Sequence, residues 1–220
     1  HCPDEVAGAL AKMEQASKDG YHLAGYFAYE LGYVLEPHLS PLLPPEHLKG
    51  RKSPLLCFGV FSGFKKAAPA QSLPGYIGGA RPSLGSREYG EKFKTVKDYI
   101  RRGDVYQVNL TMPVRGNYHG SAADIYALLK DRQPVRYGGI LSLGGEQIVT
   151  LSPELFFKKD GDHVTMKPMK GTAARGQNPA DDEGRARGLR ADIKNRAENL
   201  MIVDLLRNDL SRIARTGSVK

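Results

Sequence analysis

The chain has 220 residues, of which 40% are hydrophobic, and its formal net charge at pH 7 is +8. This length allows one large domain or two small ones with a real core, and the lack of any run of about 18 apolar residues argues against a membrane span. The first twenty residues carry charge throughout, so we predict no signal peptide and a cytoplasmic location.

Composition disfavours two further classes of protein. Cys2 and Cys57 are too few for a disulfide framework and lack the spacing of metal ligands. The basic residues are scattered among acidic ones without a zinc-finger, RNP or helix-turn-helix pattern, so nucleic-acid binding is not predicted. A positive charge balance equally suits a small dianionic substrate that is drawn into a cleft.

The N-terminal region contains one helix signal and two strand signals. Apolar residues at helical spacing predict an amphipathic helix over 4–18, with Gly20 as its stop. Runs of β-forming residues interrupted by glycine predict strands over 22–34 and 55–64, separated by a proline-rich loop over 37–54.

A second loop, residues 65–84, is rich in proline, glycine and serine and marks the predicted internal boundary. We therefore divide the chain into an N-terminal portion, 1–84, and a second portion, 85–220. Ser86 is the predicted N-cap of the next helix, which closes at Gly103.

Residues 105–114 alternate between apolar and polar side chains, a pattern that predicts a strand. The polar face carries Gln107, Asn109 and Thr111. These amide and hydroxyl groups could line a polar pocket or form the solvated face of a sheet, and the pattern leaves both interpretations open.

The middle of the chain predicts successive hairpins. A helix capped by Ser121 must end before Pro134, and strands then follow over 137–143, 147–151 and 155–158. Tight turns imply antiparallel pairing, and neither a βαβ rhythm nor a glycine-rich phosphate loop occurs. We predict an α+β fold in which helices pack outside antiparallel sheets.

The segment Met166–Thr172, MKPMKGT, follows a short predicted strand that begins at His163. Alternation puts Lys170 on the face that carries Val164 and Met166. An amine in apolar surroundings loses solvation of its charged form, which favours the neutral, nucleophilic form. The alternative interpretation is an exposed lysine at the end of a strand.

The last predicted element is a long helix over 182–214. Its second half is apolar nearly all round, so it is predicted to be buried. Glu198 shares a stripe with Met201 and Leu205, where a carboxylate would be costly unless a cation or a metal ion met it. The alternative is a solvated Glu198 at the edge of the stripe.

Four stretches, taken together, resemble the chorismate-binding enzyme family, which includes component I of aminodeoxychorismate synthase and of anthranilate synthase and the isochorismate and salicylate synthases. The resemblance covers roughly residues 21–220, is greatest to the aminodeoxychorismate synthase members and implies the anthranilate synthase component I-like fold. The stretches are Gly103–Leu110 (GDVYQVNL), Ser152–Phe156 (SPELF), Pro168–Thr172 (PMKGT) and Arg196–Asp209 (RAENLMIVDLLRND).

The resemblance implies conversion of chorismate and ammonia to 4-amino-4-deoxychorismate for folate biosynthesis, with ammonia from a glutamine amidotransferase subunit or domain. Lys170 matches the family's lysine nucleophile, and Glu154 matches the general acid for the departing hydroxyl, although its pattern alone indicates a solvated turn residue. Gly171 and Thr172 match substrate contacts. Glu198 matches a carboxylate that binds Mg²⁺.

Four features distinguish this chain from particular members of the family that it resembles. Gln107 stands where the water-using members have a lysine base, and glutamine cannot take a proton from water. Anthranilate synthases have an alanine in place of Lys170 and a second glutamate in place of Asn195. Family members also continue well beyond this stretch, so the chain is expected to be a fragment that is inactive alone. Anthranilate synthase component I and a non-catalytic binding fragment are the alternatives.

Overall fold

The computed structural model describes residues 3–43, 51, 53–66, 74–143 and 145–220. Cys2, Gly144 and large parts of the two predicted loops therefore lie outside the described residues. Cys57 is half-buried and forms no disulfide.

The chain folds into two compact units. One comprises residues 1–134 and 139–150, and the other comprises residues 135–138 and 151–220. The predicted domain boundary after residue 84 stays a prediction. The two units are defined by contacts within the chain and do not test where a functional domain begins.

A small apolar core joins the N-terminal elements of the first unit. Helix α1 extends over Val6–Lys18, and Gly20 adopts a positive φ of 85° just after it, in agreement with the predicted stop. The first residue of α1 is buried with Leu31 and Leu55, which are only 4% and 2% exposed. Full burial of such side chains stabilises a fold by roughly 1.5–3 kcal/mol each.

The strand predicted over 22–34 is correct only in its first half. Strand β1 covers His22–Phe27, and the short helix α2 covers Leu31–Leu35. The prediction is wrong beyond β1 because one helical turn directs Leu31 into the core. A 3-10 turn at Ser40–Leu42 follows.

Strand β2, Leu56–Phe61, confirms the second strand signal and pairs antiparallel with β1. The register sets Gly25 opposite Phe58. A Cβ atom at Gly25 would lie 2.1 Å from the carbonyl oxygen of Cys57, so only glycine permits this approach of the two strands.

Strands β3, Tyr76–Pro82, and β4, Val114–His119, form a second antiparallel pair with an irregularity between Gly78 and Arg81. The predicted loop over 65–84 is therefore wrong at its end, and the strand predicted over 105–114 is wrong except for its last residue. The reason lies in the register. The ladder ends where Pro82 is opposite Val114, and among the described residues none pairs as a strand with 105–113, despite their alternation.

Two further helices lie in the unit that comprises residues 1–134 and 139–150. Helix α3 extends over Ser86–Arg102 and closes at Gly103, as predicted. The structure adds that Gly103 is left-handed and that the N-cap position is Gly85 and not Ser86. Helix α4 extends over Ala122–Arg132 and begins with the predicted cap, in which Ser121 and Asp124 bond each other's backbone N–H groups.

The predicted hairpin strands are all present. Strands β5, Tyr137–Leu143, and β6, Glu146–Ser152, form one two-stranded sheet. Strands β7, Leu155–Asp160, and β8, His163–Lys167, form an antiparallel pair that turns at Gly161.

The single long helix predicted over 182–214 is wrong, since the structure has α5 over Pro179–Ala191 and α6 over Ile193–Ser211. Asp192 separates them with an extended backbone, and its carboxylate accepts a hydrogen bond from the Asn195 N–H at 2.7 Å. The predicted burial of the second half is also wrong. None of the residues of α6 is buried, because only one stripe of the helix is covered within its unit.

The observed mixture of helices and antiparallel strand pairs confirms the α+β class. The finer assignment to the anthranilate synthase component I-like fold stays a prediction. Among the described residues, helices that are long and apolar enough to cross a membrane are absent.

Candidate active site

Glu154 lies in the turn between β6 and β7. The Ser152 hydroxyl accepts a hydrogen bond from the Glu154 N–H at 3.3 Å and donates one to the Glu154 carbonyl oxygen at 3.0 Å. Serine forms such local turns readily because its hydroxyl can donate and accept at once. The turn leaves the Glu154 side chain exposed.

The Glu154 carboxylate makes the first link between two of the sequence motifs. It accepts a hydrogen bond from the Met169 N–H at 2.9 Å, across fifteen residues of sequence. This bond fixes the carboxylate beside the residue that precedes Lys170. Sequence reasoning missed Met169, and no signal could have revealed it, because every residue except proline carries a backbone N–H.

The burial of β8 and the residues after it alternates as the sequence predicted. Val164, Met166, Pro168 and Lys170 are half-buried, whereas the residues between them are exposed. The strand itself ends at Lys167, yet the alternation continues past it. Lys170 therefore lies on the less exposed side of the segment, with the apolar residues, and the predicted orientation is confirmed.

Gly171 is held against helix α6. Its φ is +80°, and a Cβ atom there would lie 2.7 Å from Oδ1 and 3.2 Å from Cβ of Asn195. Glycine is thus required twice over, by the left-handed backbone and by the close side chain. The sequence had marked Asn195 only as a departure from the family pattern, and the structure shows that it packs on the residue after Lys170.

Glu198 lies three residues after Asn195 on α6. Its side chain is 41% exposed, and one carboxylate oxygen is 3.8 Å from Nζ of Lys194, one helical turn earlier. An ion pair at this distance and exposure is weak. The carboxylate is therefore accessible to another cation.

The loop between Thr172 and α5 is bound by two aspartates that sequence reasoning missed. Asp182 accepts hydrogen bonds at 2.8 Å from the Gly176 N–H and from Nε of Arg175. Asp181 accepts one at 2.9 Å from the Gln177 N–H. The only sequence signal was a pair of acidic residues at a helix start, which is common in helices of any function.

These contacts change how the two carboxyl groups titrate. The hydrogen bond from the Gly176 N–H, followed by the bond from Arg175, lowers the pKa of Asp182 below its ordinary value of 3.8. The Arg185 guanidinium, followed by the Gln177 N–H, lowers the pKa of Asp181 below the same value. Both aspartates are therefore charged at neutral pH and remain able to accept these bonds.

Comparison with known proteins agrees with this arrangement of motifs. The family of chorismate binding enzymes matches residues 4–220. The chain belongs to this family. Every motif that carried the resemblance lies within the matched range.

Three relatives illustrate where the chain stands among chorismate binding enzymes. It is 41% identical over 133 residues to aminodeoxychorismate synthase component 1 of Salmonella typhimurium, and equally identical to that of Escherichia coli. It is 36% identical over 132 residues to an anthranilate synthase component 1 of Haloarcula marismortui. Each alignment covers 60% of this chain and 29%, 29% and 27% of the respective relative, so the aligned part of the chain spans less than a third of each of these proteins.

The five predicted site residues of this family member all lie in one of the two units. Glu154, Lys170, Gly171, Thr172 and Glu198 all lie in the unit that contains residues 151–220. Thr172 is exposed. Gln107 belongs to the other unit and is half-buried.

A metal site formed by the protein alone is not found among the described residues, since no group of three or more His, Cys, Asp or Glu side chains is close enough to hold an ion. Glu198 offers a single carboxylate. Mg²⁺ commonly takes one or two protein carboxylates and keeps water or substrate oxygens as its other ligands. This donor set therefore fits a Mg²⁺ ion that is shared with an anionic substrate.

Proposed function

We propose that the protein carrying this chain acts as component I of an aminodeoxychorismate synthase, converting chorismate and ammonia to 4-amino-4-deoxychorismate on the route to folate. The observation that carries the proposal is the position of Lys170. It lies on the half-buried side of its segment, between Met169, whose N–H is bound by Glu154, and Gly171, which packs on Asn195. Lys170 would be the nucleophile, and Glu154, whose carboxylate is hydrogen-bonded to the residue before Lys170, would be the acid.

The proposed chemistry uses Lys170 twice. Its neutral amine forms a bond to C2 of the chorismate ring, the ring double bonds shift, and the C4 hydroxyl departs with a proton from Glu154 as water. Ammonia then bonds to C4, the double bonds shift back, Lys170 leaves C2 as the neutral amine, and a proton from the new ammonium group at C4 returns to the Glu154 carboxylate. The sum is chorismate plus ammonia giving the amino product plus water, and the lysine is regenerated.

We assign substrate anchoring to three residues that follow Lys170 in the chain. Gly171 and Thr172 would contact the substrate, and Glu198 would hold Mg²⁺. The ion, when bound, would neutralise the ring carboxylate of chorismate. Ammonia would come from a glutamine amidotransferase subunit or domain, as the resemblance to component I proteins implies.

Anthranilate synthase component I is the second candidate. It is favoured by one observation, namely relatives of that name, of which the Streptomyces coelicolor protein is 36% identical over 73% of this chain. Lys170 argues against it, because a direct attack by ammonia needs no lysine at this position. A non-catalytic binding role would require neither Lys170 nor Glu154 to react.

Mass spectrometry of trapped protein tests the proposal. The purified protein is incubated with chorismate and Mg²⁺ without ammonia and then digested, and we expect a chorismate-derived adduct on the peptide that contains Lys170. Lys167→Ala is the matched control, because Lys167 lies on the exposed side of the same segment. We expect the adduct in Lys167→Ala and its loss in Lys170→Ala.

Two other results would contradict the proposal. An unmodified Lys170 together with full amination activity in Lys170→Ala would support the direct route of an anthranilate synthase. Chorismate binding by calorimetry, without an adduct and without amination in the presence of ammonia, would support the binding role.

A further inference from the structure

We propose that Asp182 is a positioning residue: by binding the backbone of the loop at Gly176, it holds the Lys170 segment in the orientation needed for attack. The name clasp is used below for Arg175, Gly176, Gln177, Asp181 and Asp182. The inference rests on the proposed function for its catalytic part, but the existence of the clasp can be tested without it.

The geometry at Gly176 shows how closely the loop approaches α5. A Cβ atom at Gly176 would lie 2.1 Å from the backbone nitrogen and 2.5 Å from Cα of Asp182. Every residue other than glycine would therefore push the loop off the helix. The φ of Gly176 is not in the left-handed region. Glycine is therefore required because the backbone of Asp182 is too close for a side chain, and not because of backbone strain.

Backbone bonds, more than the ion pair, carry the clasp. Arg175 Nη2 lies 2.6 Å from Asp182 Oδ2, but the Arg175 side chain is 89% exposed, so solvent screens the pair. The Gly176 N–H bond to Asp182 is part-buried, and the Asp182 side chain is only 30% exposed. Hydrogen bonds to a charged acceptor in such surroundings are stronger than exposed ion pairs.

The clasp completes the fixation of the segment that carries Lys170. Glu154 binds that segment at Met169, Asn195 contacts it at Gly171, and Asp182 binds it at Gly176. Lys170 thus lies between fixed points on both sides. Small displacements of a reacting group lower rates strongly, because the reacting atoms must meet in a narrow range of distance and angle.

Three variants separate the contributions. Asp182→Ala removes the acceptor, Asp182→Asn keeps an acceptor for the Gly176 N–H without the charge, and Arg175→Gln removes the exposed ion pair together with the hydrogen bond from Arg175 Nε but leaves the Gly176 bond. Asp160→Ala is the control, since Asp160 is an exposed aspartate of the same unit that is paired with Lys158 at 3.3 Å. Thermal unfolding of each variant checks that the fold is retained.

The first measurement is hydrogen exchange at the Gly176 and Gln177 N–H groups. We expect exchange at Gly176 to be at least about tenfold faster in Asp182→Ala, to be partly restored in Asp182→Asn, and to change little in Arg175→Gln and Asp160→Ala. Unchanged exchange in Asp182→Ala would overturn the clasp itself, whatever happens at Lys170.

The second measurement is the rate of adduct formation on Lys170 as a function of chorismate concentration. A positioning role predicts that Asp182→Ala lowers the maximal rate about tenfold or more, with a much smaller change in the half-saturating concentration, and that Asp182→Asn recovers part of the rate. An unchanged maximal rate despite faster exchange would overturn the positioning role.

Failure of the proposed function would be seen separately, as the absence of an adduct in the unsubstituted protein. In that case an amine-reactive ester replaces chorismate, and the labelling rate of Lys170 is measured in the same digests. Several-fold faster labelling in Asp182→Ala than in Asp160→Ala would support the clasp as the device that holds Lys170, and equal rates would overturn it.

Discussion

Glu198 is a carboxylate with a weak partner, and its environment determines what its removal should do. Lys194 is 3.8 Å away and 84% exposed, so the pair contributes little to stability. Glu198 therefore matters less for stability than for its ability to bind another cation.

Glu198→Ala should abolish the dependence of chorismate binding on Mg²⁺ while changing the free energy of unfolding by less than about 0.5 kcal/mol. The physical reason is that the carboxylate proposed to bind the ion is lost, whereas little packing is removed. Calorimetric titration of chorismate with and without Mg²⁺ measures the effect. Glu183→Ala, at an exposed glutamate of α5, is the control, and equal metal dependence in both variants would refute the assignment of Glu198.

Some residue-scale features of the site follow from the sequence and others do not. The side on which Lys170 lies follows from period-two alternation, because each residue of an extended segment reverses direction. The bond from the Met169 N–H to Glu154 and the bond from the Gly176 N–H to Asp182 do not, because both donors are backbone groups. The approach of Asn195 to Gly171 was equally invisible, since it depends on how α6 packs on the loop.

At the scale of elements, helix α4 offers a test of capping. Its start is fixed by reciprocal bonds between Ser121 and Asp124, whereas α3 begins after Gly85 without a side-chain cap. The two helix starts look alike in sequence, since each has a serine before an amphipathic run.

Ser121→Ala should lower the free energy of unfolding by about 1 kcal/mol, within a range of roughly 0.5–2 kcal/mol. Asp124 is only 8% exposed, so water cannot fully replace the lost bonds, and the upper part of the range is expected. Ser86→Ala should change stability by only a few tenths of a kcal/mol, because Ser86 is the first helical residue and not the cap. Denaturant unfolding of both variants gives the comparison, and equal losses would contradict the capping geometry.

Low pH should release the loop before α5. The pKa values of Asp181 and Asp182 are lowered in the folded protein, so their contribution is fully present above the ordinary value of 3.8 and is lost as the pH falls through the lower folded values. The amide resonances of Gly176 and Gln177 should therefore shift in NMR spectra only below about pH 3.8. A midpoint above that value would show that neither carboxylate is stabilised by the loop.

Local elements were easier to predict than paired or broken ones. The hairpins between Tyr137 and Lys167 are adjacent in sequence, so alternation and turn residues suffice to identify them. Residues 105–113 alternate just as clearly, but whether they form a strand depends on a partner far away in sequence. The two C-terminal helices are separate because the Asp192 side chain caps the start of α6 instead of continuing the helix. Helical periodicity alone does not predict such a cap.

At the scale of the whole molecule, the described core is small and belongs to one unit. Its buried apolar members are Val6, Leu31 and Leu55, all near the N-terminus, with Ala122 and Ile125 buried in α4. The unit that contains the candidate active site is held by hairpin bonds, helix caps and half-buried residues.

Leu55→Ala should destabilise the first unit by about 2–5 kcal/mol, because Leu55 is 2% exposed and its truncation leaves a cavity. Hydrogen exchange resolved by residue is the measurement. Amides of β1 and β2 should lose protection, whereas those of β7 and β8 should keep theirs, since the substitution lies in the other compact unit. A uniform loss of protection would mean that the two units unfold together.

Because burial alternates from Val164 to Lys170, the side on which Lys170 lies depends on whether the number of residues between them is odd or even. Lys170 lies on the half-buried side because it is an even number of residues from Val164, and that count continues beyond the end of β8. Inserting one residue in this interval would turn the amine toward solvent, whereas inserting two would return it. The separation of Lys170 from Val164 must therefore stay an even number of residues, whichever residues occupy the interval. The labelling rate of Lys170 would distinguish the one-residue insertion from the two-residue insertion.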